Sequence, residues 1–139
     1  MADLTDIALR ILTAFNSHDP ETLAALYSEN QVTIVPGEPD PLRGRPAKAE
    51  MLARLFRGFP DLTLTLSLIL PSGDHVVCEG TMRGTHTGPL VSRDDEVPPT
   101  GRAITLPIVY ILKVDSDGLV SEDRTYLDNA ALLAQMGLL

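Results

Sequence analysis

The chain of 139 residues has one cysteine, Cys78, and no tryptophan, and only 4% of its residues are aromatic. A single cysteine excludes an internal disulfide and is typical of a protein of the reducing cytoplasm. No apolar run approaches the roughly 18 residues from which a membrane-spanning helix is recognised. The N-terminal residues MADLTD also lack the basic and apolar regions of a signal peptide. We therefore expect a cytoplasmic protein that neither crosses nor binds a membrane.

Basic residues are scarce as well. The 11 lysines and arginines stand against 19 aspartates and glutamates, which gives a net charge of −8. This surplus of negative charge repels phosphate backbones, so the chain is not expected to bind nucleic acid. The three histidines, His18, His75 and His86, do not show the spacing of metal ligands. We therefore expect no metal site and no cofactor.

The rest of the composition is that of an ordinary globular protein, with 44% hydrophobic and 22% charged residues. A chain of this length buries roughly two-thirds of its unfolded surface. No internal repeat and no linker divides it. The sequence therefore predicts one domain over residues 1–139.

Three helices are predicted in the first part of the chain. Apolar residues recur at helical spacing over residues 4–15, with Asp3 as the N-cap and residues 16–18 as the end of the helix. An aspartate and a proline at 19–20 have the pattern that starts a second helix, with Tyr27 on its buried side. The β-branched segment Gln31–Val35 is predicted as a short strand. A third helix is predicted from about Pro46 to Arg57.

The second part of the chain changes to the two-residue period of β-strands. Leucines alternate with threonine and serine from Leu62 to Leu70, and a turn leads into a partner strand from His75 to about His86. Residues 87–101 are rich in glycine, proline and charge, and this loop is long enough to act as a flap. The strand Arg102–Val114 is apolar on both faces, so we expect a second subunit to cover one of them.

A last strand and a short helix complete the predicted elements. Strand alternation puts Asp123, Thr125 and Leu127 on one face. Asp128 stands directly before the helix, where an N-cap explains it better than a catalytic role. Helices followed by a meander of long strands indicate an α+β fold. A sheet curved around helices leaves a concave, apolar cavity, and the face of Asp123 would carry a carboxylate and a hydroxyl into it.

Several motifs together resemble a known family. They are AFN at 14–16, Gly44 before the third helix, RGTHTGPL at 83–90, PPTGR at 98–102, and Asp128 followed by LLAQMG. With these motifs the chain resembles the SnoaL-like polyketide cyclases of the nuclear-transport-factor-2-like (NTF2-like) superfamily over nearly its whole length. The resemblance implies a cone in which N-terminal helices pack on a curved, mostly antiparallel sheet that is followed by a short C-terminal helix.

The resemblance also implies a reaction. Enzymes of this family close a polyketide ring by an intramolecular aldol reaction without a cofactor; an aspartate on the last strand removes a proton, and apolar residues hold the enolate. Counted back from QMG, the position of that aspartate is held here by Thr125. A threonine hydroxyl is not a general base at neutral pH. Asp123 lies about 6.5–7 Å away on the same face and could take the role; the alternative is an exposed carboxylate near the rim of the sheet.

Further site residues are implied by the same resemblance. Tyr110 matches a polar position of the family's pocket, so it could polarise a carbonyl, or it could be a core tyrosine. His86 lies near the flap and could shuttle a proton, or it could be a hydrogen-bonded turn histidine. Phe15 and Met51 match positions that line the family's cavity, and we expect Leu106 to complete the apolar wall.

Two functions stay open. One is a cofactor-independent acid/base enzyme, of cyclase or isomerase type, that acts on an apolar polyketide-like or ring-bearing carbonyl substrate. Asp123, His86 and Tyr110 would be catalytic, Thr125 would bind the substrate, and desolvation should raise the pKa of Asp123. The other is a non-catalytic module that binds a small hydrophobic ligand and has lost the family's aspartate at Thr125. A homodimeric scaffold with a filled pocket is a third possibility, and a homodimer is expected in each case.

Overall fold

The computed structural model describes residues 3–92 and 95–139. In these residues it has an α+β fold, as predicted, with helices α1 (Leu4–Asn16), α2 (Pro20–Ala24), α3 (Arg45–Gly58) and α4 (Asn129–Gln135). The strands are β1 (Tyr27–Ile34), β2 (Leu42–Arg43), β3 (Thr63–Ser72), β4 (His75–Thr85), β5 (Leu90–Ser92), β6 (Asp95–Val97), β7 (Ala103–Val114) and β8 (Val120–Leu127). None of the described helices is long and apolar enough to cross a membrane.

A six-stranded sheet with the order β2-β1-β8-β7-β4-β3 forms the centre of the fold. Neighbouring strands are antiparallel except β1 and β8, which run parallel, and this agrees with the predicted mostly antiparallel sheet. Helices α1 and α3 pack on its inner face. The core between the two layers includes Ile7, Ile11, Leu52, Phe56, Val76, Leu106 and Leu112.

The helix α1 begins where the sequence predicts, and its C-terminal end is anchored to the sheet. Asp3 caps it by accepting a hydrogen bond from the backbone N–H of Thr5 at 2.9 Å. At its other end the amide of Asn16 donates to the backbone oxygen of Leu64 at 2.9 Å and accepts from the N–H of the same residue at 2.8 Å. Asn16, the last residue of the AFN motif, thus fastens the helix to β3.

The C-terminal motif anchors α4 to the sheet in the way that Asn16 anchors α1. Asp128 accepts from the N–H of Ala131 at 3.0 Å, which confirms it as the N-cap. Gln135 accepts from the N–H of Thr105 at 2.7 Å and donates to its oxygen at 3.0 Å. Met136 is buried in the core, and Gly137 takes a positive φ of 75° that suits glycine. The residues QMG therefore hold the last helix against β7.

The strand β3 departs from the simple alternation predicted for Leu62–Leu70. Leu66 pairs with Gly80 but Leu68 pairs with Glu79, so Ser67 is an extra residue in a β-bulge. Beyond the bulge the faces exchange, and Leu68 and Leu70 are 40% and 51% exposed on the outer face. A Cβ on Gly80 would lie 1.9 Å from the backbone oxygen of Thr65, so this approach requires glycine.

The strand β1 begins at Tyr27, earlier than the predicted start of Gln31–Val35. Its first pair with β8 is Tyr27 with Val120, and the next is Val32 with Glu122, so the intervening residues bulge out of register. A bulged segment does not alternate, and for that reason the two-residue period did not reveal it. Tyr27 is consequently a buried strand residue and not, as predicted, part of the second helix.

The segment predicted as a flap contains the β5–β6 hairpin, whose residues 93–94 lie outside the described residues. It packs against the C-terminal end of α3, where the N–H of Gly88 donates to the oxygen of Gly58 at 3.2 Å. A Cβ on Gly88 would lie 1.8 Å from the oxygen of Arg57. Gly88 of the RGTHTGPL motif therefore allows the hairpin to approach the helix.

Candidate active site

Five of the residues predicted for the site lie at one cavity of about 530 Å³ between the helices and the inner face of the sheet. Phe15 comes from α1, Met51 from α3, Tyr110 from β7, and Asp123 and Thr125 from β8. The register explains why the polar members meet, because Tyr110 pairs directly with Thr125, and Asp123 is its neighbour on the same face.

The carboxylate of Asp123 is in the cavity wall and not at the exposed rim. The residue is 4% exposed. Its Oδ2 accepts hydrogen bonds from the hydroxyl of Tyr27 at 2.7 Å and from Nζ of Lys48 at 3.0 Å. Its Oδ1 accepts from the hydroxyl of Thr125 at 2.7 Å. The alternative of a solvated carboxylate is therefore wrong.

Lys48 brings a cation to the same point. The residue is the fourth of α3, lines the cavity and is 3% exposed. Its Nζ also donates to the hydroxyl of Thr33 at 3.0 Å and lies 4.4 Å from the centre of the Tyr27 ring. Thr33 in turn donates to Oε1 of Gln31 at 2.6 Å. A buried ion pair is thus surrounded by hydrogen-bonded polar side chains, as buried charges require.

The pKa of Asp123 is lowered, whereas we predicted that it would be raised. Burial acts in the predicted direction and raises the pKa, but the positive charge of Lys48 and the hydrogen bonds from Tyr27 and Thr125 outweigh it. The prediction was wrong because it took the wall to be apolar and did not include Lys48. Asp123 is consequently ionised at neutral pH.

Tyr110 presents a hydroxyl that is only weakly engaged. The residue is 5% exposed, and its hydroxyl has no hydrogen-bond partner of ordinary geometry among the described residues. Burial raises the pKa of Tyr110, and Cys78, through its charge and a weak hydrogen bond, and then Asp123 raise it further, so the phenol stays protonated. A buried hydroxyl without a partner is unusual in a folded protein. In a cavity wall it is available to donate to the oxygen of a ligand.

Two predicted residues do not line the cavity. His86 is fully buried, and its Nδ1 lies 2.9 Å from the hydroxyl of Thr100 and accepts from the Thr100 N–H at 3.2 Å. Its ring packs on Phe59, which does line the cavity, at 5.3 Å between centres. Burial lowers the pKa of His86. Leu106 is buried in the core, whereas its neighbour on the same face, Ile108, lines the cavity.

Sequence reasoning missed Tyr27, Thr33 and Lys48 as members of the site. Tyr27 was assigned to the second helix because the bulge in β1 hides the start of the strand, and Thr33 was placed in the predicted strand without a face. Lys48 had a visible signal, since it is four residues from Leu52 and eight from Phe56 on the buried side of α3. A lysine on the buried side of a helix needs a buried partner, and that would have led to a carboxylate.

The arrangement suits proton transfer. An ionised carboxylate can accept a proton, and the Tyr110 hydroxyl can stabilise negative charge that develops on an oxygen. Within residues 3–92 and 95–139, no group of histidine, cysteine, aspartate and glutamate side chains is placed to hold a metal ion.

Comparison with known proteins agrees with this architecture. The family model for SnoaL-like polyketide cyclase matches residues 5–136. IdmH from Streptomyces antibioticus is 32% identical, with 98% of this chain and 99% of that chain covered and a TM-score of 0.79. TsrD from Streptomyces laurentii is 25% identical, with 100% of both chains covered and a TM-score of 0.83. The chain matches no curated protein sequence.

A more distant structure supports the fold alone. An NTF2-like protein from Burkholderia pseudomallei is 18% identical, with 98% of each chain covered and a TM-score of 0.78. The cone of helices on a curved sheet is therefore NTF2-like, and the family model spans almost all of it. The chain belongs to the SnoaL-like polyketide cyclase family.

Proposed function

We propose that the protein is a cofactor-independent acid/base enzyme, of cyclase or isomerase type, for a polyketide-like carbonyl substrate that binds in the cavity. Asp123 is the general base, Tyr110 donates a hydrogen bond to the reacting carbonyl, and Thr125 contacts both base and substrate. One observation carries the proposal: a buried, ionised carboxylate and an unpartnered hydroxyl line the same cavity. The role of His86 as a proton shuttle has less support, because Phe59 lies between it and the cavity.

The reaction steps balance without a cofactor. Asp123 takes a proton from the carbon next to a carbonyl, and the electrons of that C–H bond form an enolate whose oxygen accepts from Tyr110. In a cyclisation the enolate carbon attacks a second carbonyl carbon of the same molecule and forms a C–C bond. The resulting alkoxide then takes the proton back from Asp123. In an isomerisation the proton returns to a different carbon.

The lowered pKa of Asp123 restricts the substrate. A carboxylate stabilised by a lysine and two hydroxyls is a weak base, so it removes a proton efficiently only from an activated carbon. Carbon flanked by two carbonyl groups, as in a poly-β-ketone, meets this requirement. Phe15, Met51 and Ile108 supply apolar walls that would hold its rings and exclude water.

Exchange of α-protons tests the chemistry without the natural substrate. We expect the protein to speed the exchange in D2O of the C1 protons of 2-tetralone, which the ketone and the aromatic ring both activate, and NMR follows this exchange. Asp123→Asn should reduce the catalysed rate by about 100-fold or more. Asp128→Asn is the matched control, since it makes the same change outside the cavity at a helix cap. Equal exchange in the wild type and in Asp123→Asn would refute the proposal.

A binding module is the second candidate, and Thr125 at the family's acid position favours it. In such a module the carboxylate of Asp123 would serve only to pair with Lys48. The enol-like 2-naphthol, whose fluorescence reports binding, separates the two functions. Saturable binding of 2-naphthol together with no exchange of 2-tetralone would indicate a binder.

A homodimer formed through the outer face of the sheet is part of the proposal. Tyr126 is 43% exposed on that face and pairs with Val109, while Ile111 is two residues further along β7 on the same side. Leu68 and Leu70 extend the apolar surface. Apolar sheet faces of this kind are covered by packing against a second sheet, and a two-fold axis would pair identical surfaces.

The single buried thiol of Cys78 accords with a cytoplasmic location.

A further inference from the structure

Lys48 is the only fully charged group that contacts Asp123 among the described residues. The two side chains are 4% and 5% exposed, and Nζ lies 3.0 Å from Oδ2. The other titratable groups that face Asp123 are Tyr27 from β1, Tyr110 from β7 and Cys78 from β4. Burial raises the pKa of each, that of Cys78 to about 11, so all three are neutral when Asp123 is ionised. The remaining charged residues described in the cavity lining are Glu38, Asp40, Glu50 and Arg54.

The hydrogen bonds next to Lys48 run in one direction. Nε2 of Gln31 donates to the backbone oxygens of Leu42 and Gly44 at 3.3 and 2.9 Å, which leaves Oε1 of Gln31 as an acceptor. The hydroxyl of Thr33 uses its only proton to donate to that Oε1 at 2.6 Å. Thr33 can therefore only accept from Lys48, and Nζ must be the donor at 3.0 Å.

The surroundings of Lys48 suit a positive charge. Nζ donates to Thr33 and to Asp123 and lies 4.4 Å from the centre of the Tyr27 ring. A carboxylate and the face of an aromatic ring both attract a cation. Lys48 therefore supplies a positive charge directly beside the Asp123 carboxylate.

The same contacts distinguish the two oxygens of Asp123. Oδ2 accepts from both Tyr27 and Lys48, so its two lone pairs are occupied. Among the described residues Oδ1 accepts from Thr125 alone, which leaves one acceptor position open. We propose that Lys48 is a positioning residue of the reaction, which keeps Asp123 ionised and occupies Oδ2 so that Oδ1 takes the substrate proton. This inference rests on the proposed function of Asp123 as the base.

Titration of Asp123 in Lys48→Met tests the inference. Methionine keeps the length and apolar contacts of the lysine but removes its charge. We expect the pKa of Asp123, followed through its 13C carboxyl signal, to rise by about 1–3 pH units. The pH below which the rate of 2-tetralone exchange falls should rise with it. Arg57→Met is the matched control, because it removes an exposed cation of the same helix that does not line the cavity, and it should leave the titration of Asp123 unchanged. The spectrum of Asp123→Asn, which lacks this carboxyl group, identifies the 13C signal of Asp123.

Each outcome decides the inference. If Lys48 were needed only for folding, Lys48→Met would lower the exchange rate equally at every pH and leave the pKa of Asp123 unchanged. That result would overturn the inference. Should Lys48→Met not fold, the wild type decides: Asp123 ionised throughout pH 5–9 supports it, and titration of Asp123 above pH 5 refutes it. The carboxyl titration needs no substrate. A normal titration without any exchange of 2-tetralone would therefore refute the proposed function and not the influence of Lys48 on Asp123.

Discussion

Replacing Tyr110 with phenylalanine should stabilise the ligand-free protein and weaken ligand binding. The hydroxyl lost in this change is buried and, apart from a weak interaction with the thiol of Cys78, has no hydrogen-bond partner among the described residues. A buried hydroxyl without a partner costs about 1–3 kcal/mol in proteins. We therefore expect Tyr110→Phe to raise the free energy of unfolding, by about 1–3 kcal/mol at most. The ring stays in place and only the hydroxyl is removed.

Tyr27 provides a matched control for the sign of this effect. Its hydroxyl donates to the Asp123 carboxylate at 2.7 Å, and a hydrogen bond to a charged group contributes about 1.5–3 kcal/mol. Tyr27→Phe removes the same atom from the same cavity and should lower the stability. Urea titrations followed by circular dichroism suit both variants, since the chain has no tryptophan. Fluorescence titration with 2-naphthol gives the affinity for ligand.

Two results would refute the reasoning about Tyr110. A loss of stability in Tyr110→Phe would mean that the hydroxyl has a partner in the folded protein and is not free to meet a ligand. Unchanged affinity for 2-naphthol would mean that the hydroxyl does not contact a ligand oxygen. A gain of stability together with weaker binding would show that the fold tolerates the unpaired hydroxyl for the sake of binding.

The pH, the cap of α4 and the outer face of the sheet give three more tests. The pKa of Asp123 is lowered from an unfolded value of about 3.9, so its stabilisation is present above that value and is lost as the pH falls through the folded pKa. Asp123→Asn should flatten the plot of unfolding free energy against pH in this acid range, and an unchanged slope would contradict the pairing. Asp128→Ala should cost about 0.5–2 kcal/mol in a denaturant titration and Asp128→Asn very little; loss of exchange in Asp128→Asn at unchanged stability would contradict the cap. Light scattering should give twice the chain mass of 15.0 kDa at micromolar concentration and the single mass for Ile111→Asp, whereas 15.0 kDa for the wild type would exclude the dimer.

Elements with a strong local signal could be predicted from the sequence. Asp3, Asp19 and Asp128 were predicted as helix N-caps, and each accepts a backbone hydrogen bond at the start of its helix. The apolar face of β7 through Tyr110 is buried as the alternation predicts. The family motifs added the cone and the position of the cavity, which periodicity alone does not give. These features depend on neighbours within a few residues or on motifs with fixed spacing.

Features that arise from pairing between distant segments could not be predicted. The bulge at Ser67 reverses the faces of β3 although the leucines keep alternating in the sequence, because register is a property of two strands. The pKa of Asp123 depends on Lys48, which is 75 residues away in the chain. Local sequence showed a carboxylate on an inward face, but the sign of its pKa shift was decided by a partner on another element.

The parallel pairing of β1 with β8 has a consequence for folding. Tyr27 and Lys48 reach Asp123 across 96 and 75 residues of chain, so this carboxylate gains its partners only when segments from the first half and the last third of the chain come together. Contacts of such span form late, because a long loop must close before they contribute. The α1 helix and the β3–β4 hairpin meet across shorter spans, and they contribute Phe15, Leu64 and Met82 to the cavity wall. We therefore expect the pairing of Asp123 with Lys48 to be among the last contacts that form on folding.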